Sequence, residues 1–277
     1  MQTAQALKPL ASILVKLSLC GLTVGSASAD TLVARDGILP NEQQVSSAAA
    51  PVLGAYTLRG QENQNGVSPA TTAPIVTQAS GSSFLVFSAG FASNSNPPTD
   101  NKSNIWTLLG NPVLYSGYGD TFNVKAYLAT AGNGGSGHTV SIVKNGYAEG
   151  EITVPFVEIR NANILQASAQ NYPTGTQLTS GSVTTTGPAV LLAFWWGDGG
   201  GLTHTAVPNN GFTVLPGMSF LDLPPLSAVQ CAVAYKQVTA PGTYNVTWTQ
   251  NPNYDNGAPV WLLVFQSSDL IFASSFE

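Results

Sequence analysis

The chain has only two histidines, so imidazole chemistry must fall to His138 or His204. His204 follows the segment WWGDGGGLT, which places it in the same loop region as Asp198. An imidazole and a carboxylate so placed can exchange a proton, and a second carboxylate would complete a glycan-cleaving pair. The pool for that partner is Glu149, Glu151 and Glu158. Glu149 and Glu151 flank Gly150 and read as solvated. Glu158 lies in the apolar run EITVPFVEI, where a carboxyl is either satisfied by Arg160 or a backbone amide, or has a raised pKa. Glu158, Asp198 and His204 are the candidate catalytic set, which requires that they converge in one cleft. His138 opens a strand after a glycine turn and reads as an exposed polar residue. The sequence holds no G-x-S-x-G elbow.

Metal and ligand chemistry has a short list too. Two histidines and one cysteine beyond the N-terminal leader cannot fill a closed zinc site. Calcium is the better fit, because Asp100, Asn101, Ser103 and Asn104 bring hard oxygens into one loop. The competing reading, an Asx-turn network that only shapes the loop, is favoured. Aromatic residues offer a different chemistry, since sugar rings stack on exposed ring faces. Tyr115, Tyr118, Tyr254 and Trp196 are the candidates, whereas Trp106, Trp248 and Trp261 read as core. Adjacent strand residues point to opposite faces, so only one of Trp195 and Trp196 faces the core. The other packs on a second layer or is presented near the Gly-rich loop.

These residues must be positioned by strands. AVLLAFWWGDGGG, from Ala189 to Gly201, is an unbroken apolar run closed by glycines, as a strand buried in a sheet core would be. SFLVFSAG and VWLLVFQ have the same character, and FNVKAYL and VQCAVAY alternate as half-buried strands do. Pro155 cannot donate to a ladder and marks its strand as an edge or a bulge. About a dozen strands separated by turn signals predict an all-β fold, a single antiparallel β-sandwich of jelly-roll type. No linker, composition break or convincing internal repeat divides it. The expected organisation is a signal peptide at 1–29, a loose arm at 30–51, the sandwich at 52–266 and a tail at 267–277.

Composition narrows the function. The chain has 277 residues, of which 8% are charged and 43% hydrophobic. Soluble proteins average about 25% charged residues. Lys8 and Lys16, the apolar stretch LSLCGLTV and the small residues Ala27-Ser28-Ala29 fit a secretory leader cleaved before Asp30. Its loss removes two of the nine basic residues and none of the 14 acidic ones, so the exported chain is more acidic than the formal −5 of the whole. Scattered cations on an acidic protein disfavour nucleic acid and anionic lipid as partners. No integral membrane segment is expected after leader cleavage. Cys231 remains alone and reads as a buried, inert thiol.

The segments GSSFLVFSAGF, TDNKSNIWTLLG, VPFVEIRNA and TSGSVTTTGPAVLLAFWWGDGG together resemble an all-β module of secreted and phage-associated bacterial proteins. Asp100, Asn104 and Trp106 match its D-x-x-x-N-x-W element. Val157 and Glu158 match the start of its V-E-x-S-G element, with Arg160-Asn161 where Ser-Gly is usual. The resemblance covers most of 81–266. It implies a β-sandwich of carbohydrate-binding-module or adhesin type, with no family active site to carry over. The ending DLIFASSFE is similar to the D-x-I-F-x-x-G-F-E terminus of exported gammaproteobacterial proteins, with Ser275 replacing Gly. That tail reads equally as a sorting tag or a last strand. The expected function is a secreted or extracytoplasmic, non-catalytic protein that binds polysaccharide or a cell surface. The location would be a Gram-negative periplasm, cell surface or extracellular space. An extracellular glycan hydrolase or lyase, and a structural protein self-associating through sheet edges, are the alternatives. No cofactor is expected apart from the calcium candidate.

Overall fold

The computed structural model describes residues 49–92, 94, 96–115, 121–198, 203–221, 229–252 and 258–267, with the backbone alone at Asp198. The expected leader, nearly all of the expected arm, the expected tail beyond Ser267, Tyr118, Tyr254 and the Asp198 side chain lie outside the described residues. All described residues belong to one compact unit, Ser46–Glu277.

The structure is an all-β, antiparallel sandwich, as the alternation of apolar and polar positions predicts. The first half runs β1 (Val52–Gln61), β2 (Ala70–Thr71), β3 (Ser80–Phe91), β4 (Thr99–Asp100), β5 (Thr107–Leu114), β6 (Phe122–Asn133), β7 (Val140–Ile142) and β8 (Ile152–Arg160). The five longer strands form a sheet in the order β1-β8-β3-β6-β5, and the three short ones form β2-β7-β4. The second half runs β9 (Ile164–Asn171), β10 (Gln177–Thr179), β11 (Val183–Thr185), β12 (Ala189–Asp198), β13 (Thr205–Pro208), β14 (Thr213–Phe220), β15 (Val229–Val238), β16 (Gly242–Tyr244), β17 (Thr247–Asn251) and β18 (Val260–Gln266). Its main sheet is β14-β15-β12-β18-β9, with smaller sheets β10-β17-β13 and β11-β16 outside it.

The two halves repeat one plan. Ranked along its own half, each main sheet reads third, fourth, second, fifth, first. Each outer three-stranded sheet reads first, last, middle. The jelly-roll-like winding expected of the whole chain is thus found within each half. The third main strand is bulged in both, between Leu109 and Val113 and between Val214 and Ser219. In both bulges a glycine takes a left-handed φ, 65° at Gly110 and 72° at Gly217, which an L side chain resists. The sequence carries a faint echo, NIWTLLG from Asn104 against NGFTVLPG from Asn210. The repeat is therefore structural, two stacked halves within one compact unit, where the sequence shows no convincing repeat.

The main sheets pack face to face around a shared core. Phe87 meets Phe194 at 4.0 Å, Trp196 at 4.7 Å and Trp261 at 5.1 Å between ring centroids. Each main sheet also buries its outer face, against its own small sheet. Phe84, Val86 and Phe156 face Val140 and Ile142 in the first half; Leu191, Trp195 and Leu262 face Leu178 and Trp248 in the second. Sheets and cores thus alternate in four layers. That is why runs such as AVLLAFWW do not alternate with polar residues: both faces are covered. It also settles the paired tryptophans. Trp196 points into the shared core and Trp195 into the outer one, and both are 0% exposed.

Pro155 is not on an edge. Strand β8 lies between β1 and β3, and the ladder to β3 is interrupted between the Val86–Phe156 and Ala89–Thr153 pairs, where Pro155 sits.

Candidate functional site

The most specific geometry surrounds Asp100, at the end of β4. Its Oδ1 accepts from the backbone N of Lys102 (2.8 Å) and of Asn104 (3.1 Å). Its Oδ2 accepts from Asn104 Nδ2 (3.0 Å) and Trp106 Nε1 (2.9 Å). One short-armed carboxylate thereby closes the loop on itself, which explains the D-x-x-x-N-x-W spacing. Asn104 then binds β6 at both backbone groups of Asn133, accepting from N at 2.7 Å and donating to O at 2.9 Å. Asn101 does the same to the following turn, accepting from Thr139 N (3.1 Å) and donating to Gly137 O (2.7 Å).

This network corrects the calcium candidates. Asp100, Asn101 and Asn104 do lie together, but four N–H donors point at the carboxylate, and each N–H repels a cation. Among the described residues no three His, Cys, Asp or Glu side chains gather as a metal site.

The loop so held forms one wall of a groove of about 340 Å³. The wall comprises Ser103, Asn104, Ile105 and Thr107, and the floor is the end of β6 from Leu128 to Asn133. No charged residue lines it. Ile105 stands at its mouth with 86% of its surface in solvent. The equivalent place in the second half is occupied. Thr107 pairs with Leu128, and Thr213 pairs with Tyr235, so the next residue outward is Ala129 in one half and Lys236 in the other. Lys236 donates to Asn210 O at 2.7 Å and lies 5.9 Å from the Phe212 ring and 5.2 Å from the Tyr244 ring. A small residue leaves the first groove open, and a long one fills the second.

Behind the loop sits a residue that the sequence misplaced. His138 is fully buried, not exposed. Its ring packs edge-on against Phe84 and Phe156, both at 4.9 Å. Nδ1 is 3.0 Å from Thr77 Oγ1, and Nε2 is 3.8 Å from Asp100 Oδ2. Burial holds its pKa below the usual histidine value, and the Asp100 charge opposes that only in part. The signal that misled was the glycine turn before it, which says nothing of what the strand packs on.

Glu158 is a strut. Its carboxylate is fully buried and accepts from Ala55 N (2.9 Å), Gln78 N (2.7 Å), Ser82 Oγ (2.8 Å) and Arg160 Nε (3.2 Å). A Cβ at position 54 would collide with this carboxylate, so the β1 bulge needs Gly54 there. Asn161, where the V-E-x-S-G pattern has glycine, adopts φ 56°, a conformation asparagine tolerates.

The expected catalytic set does not converge. Glu158 is on the outer face of the first main sheet. His204 is on the outer face of the second, beside Trp195 (5.8 Å) and bonded through Nδ1 to Gln230 Oε1. Two sheets with a core between them, stacked about 10 Å apart, separate the two residues. The aromatic platform is corrected as well. Trp196 and Tyr115 are 0% and 1% exposed, because Trp196 fills the shared core and Tyr115 caps it against Phe122 (4.6 Å) and Tyr172 (5.4 Å). Cys231 is buried, and its thiol is pushed far above its usual range by desolvation. No described helix is long and apolar enough to cross a membrane.

No protein family, curated protein or solved structure matches the chain.

Proposed function

We propose that the chain is an exported, non-catalytic module that binds a neutral glycan of a polysaccharide or cell surface through the groove beside the Asp100 loop. The observation that carries this reading is the groove itself: open, uncharged, and walled by a loop fixed through Asp100, Asn101 and Asn104. Amide and hydroxyl groups can replace the water bonds of sugar hydroxyls, and Ile105 offers an apolar patch to a ring's CH face. A rigid wall loses little entropy on binding. The expected N-terminal leader, and the resemblance to a secreted β module that implies a sandwich of carbohydrate-binding-module or adhesin type, favour the same reading.

The hydrolase alternative lacks its cleft, since Glu158 is enclosed by four donors and stands layers away from His204. Assembly through sheet edges is opposed by the bulges in edge strands β5 and β14, which carry Pro112 and Pro216.

A glycan array probed with the mature chain tests the proposal. Binding to neutral oligosaccharides is expected, with at least a tenfold loss in Ile105→Asp. A blank array for the native chain, or unchanged binding by Ile105→Asp, would overturn it. N-terminal sequencing of exported protein should begin at Asp30.

A further inference from the structure

The second half presents a surface of a different kind. Strands β10 and β11 follow one another along β17 and β16, and the two ladders are joined by Ser180 N donating to Val246 O (2.9 Å) and Val246 N donating to Ser180 Oγ (3.1 Å). The result is one ribbon of roughly 30 Å at about 3.3 Å per residue. Its inner side is pinned by buried Leu178, Val183, Val246 and Trp248. Its outer side exposes Gln177, Thr184, Thr243 and Thr249, with Thr205 and Val207 flanking on β13. Threonines pair across it, Thr179 with Thr247 at 2.8 Å and Thr184 with Thr243 at 3.4 Å.

The ribbon strands themselves contain no charged residue. No Asp, Glu, Lys or Arg occurs from Asn161 to Gly197 or from Gln237 to Pro252. The side chains that this face presents are hydroxyls, an amide and one isopropyl group. The nearest cation, Lys236, donates to Asn210 O and lies over the Phe212 and Tyr244 rings, so a charged polymer meets no ion-pair partner among the exposed ribbon residues. A neutral, hydroxyl-rich chain would exchange water bonds for hydroxyl and amide bonds, with no ion to desolvate. Threonine side chains have few rotamers to lose, and the backing core already fixes their backbone.

We propose that this ribbon is a second glycan face, along which an extended neutral polysaccharide chain lies across several sugar units. The proposal rests on the reading of the protein as a glycan-binding module. It assigns the polymer to the ribbon and short oligosaccharides to the groove, with the two sites adding avidity on one long chain.

The test uses the full mature chain and three proteins: native, Ile105→Asp, and the ribbon double variant Thr184→Glu/Thr249→Glu. Each is partitioned onto insoluble cellulose, chitin and curdlan, and titrated with short soluble oligosaccharides of the same sugars. Both ribbon positions are solvent-exposed, so the native melting temperature is expected in all three, and Thr184→Ser/Thr249→Ser serves as the conservative control. The expected result is at least a tenfold fall in polymer partitioning for the glutamate double variant, with oligosaccharide titration unchanged and the serine control binding as native. Equal partitioning of native and double variant on every polymer would overturn the ribbon. Native binding to oligosaccharides but to none of the polymers would overturn it while the groove stands. No binding by the native chain in either assay would remove both.

Discussion

The two halves share a winding and differ in how they tie it together. In the first, the last main strand places Glu158, two residues before its end, opposite Phe84 of β3. In the second, the register that pairs Val190 with Phe265 puts Gln266, the last residue of β18, opposite Ala189, the first of β12 and likewise on the outer face. Gln266 is also fully buried; its Oε1 accepts from Thr186 N (3.3 Å) and Oγ1 (3.4 Å), and its Nε2 donates to Pro188 O (3.5 Å). Both side chains anchor the segment that leads into the second main strand. The fold thus needs a polar strut here but not a charged one. Charge is concentrated in the first half, where Asp100 and Glu158 share one outer layer with His138, and the strands of the second half's outer ribbon contain none. An open groove accompanies the first arrangement and a flat neutral face the second.

The largest expected effect separates the struts. Glu158→Ala strands four donors and should cost about 3–5 kcal/mol, because the Ala55 and Gln78 amides and the Ser82 hydroxyl are left without an acceptor at about 1–3 kcal/mol each. Gln266→Ala should cost about 1–3 kcal/mol, because only neutral hydrogen bonds are lost. Urea melts read both, and equal losses would break the comparison. Next, Asp100→Ala should cost about 1–3 kcal/mol through the unsatisfied loop donors. Its glycan binding should fall further than stability explains, since the groove wall loosens; the melt and the titration are read on the same sample.

His138 predicts a pH dependence confined to the first half. Its folded pKa lies below the usual value of about 6.5 that the unfolded chain keeps. Below that pH the unfolded chain takes up a proton that the folded one refuses. Stability therefore falls as pH drops from about 6.5 towards the folded pKa. His138→Phe should flatten that slope, whereas an identical slope in the variant would assign it elsewhere. The smallest effect is Ile105→Asp, expected within about 0.5 kcal/mol of native stability, as for other exposed positions. Its consequence belongs to binding, and a large melting shift would place Ile105 in the fold instead.

Much of the fold was legible in the residues. Strands β3, β12 and β18 announce themselves as apolar runs, and β6 and β15 as alternating ones. The closure of the loop by Asp100 was legible too, because the hydrogen bonds of that carboxylate reach only to Lys102, Asn104 and Trp106, within the span a motif can encode. Glu158 was legible as a carboxyl that Arg160 or a backbone amide could satisfy. Its other partners, Ala55, Gln78 and Ser82, lie up to 103 positions away and leave no local trace.

The sequence by itself determined the class of structure, the local turns and the neutral chemistry of the surface, because those follow from side-chain type and short spacing. Tertiary structure alone decided the duplication, the burial of both Trp195 and Trp196, the burial of His138 and the wide separation of Glu158 from His204. Each of these depends on which sheet covers which face. An apolar run reports that a strand is covered on both sides, and it does not report by what. Only the four-layer stacking turned one tryptophan towards a shared core and its neighbour towards a private one.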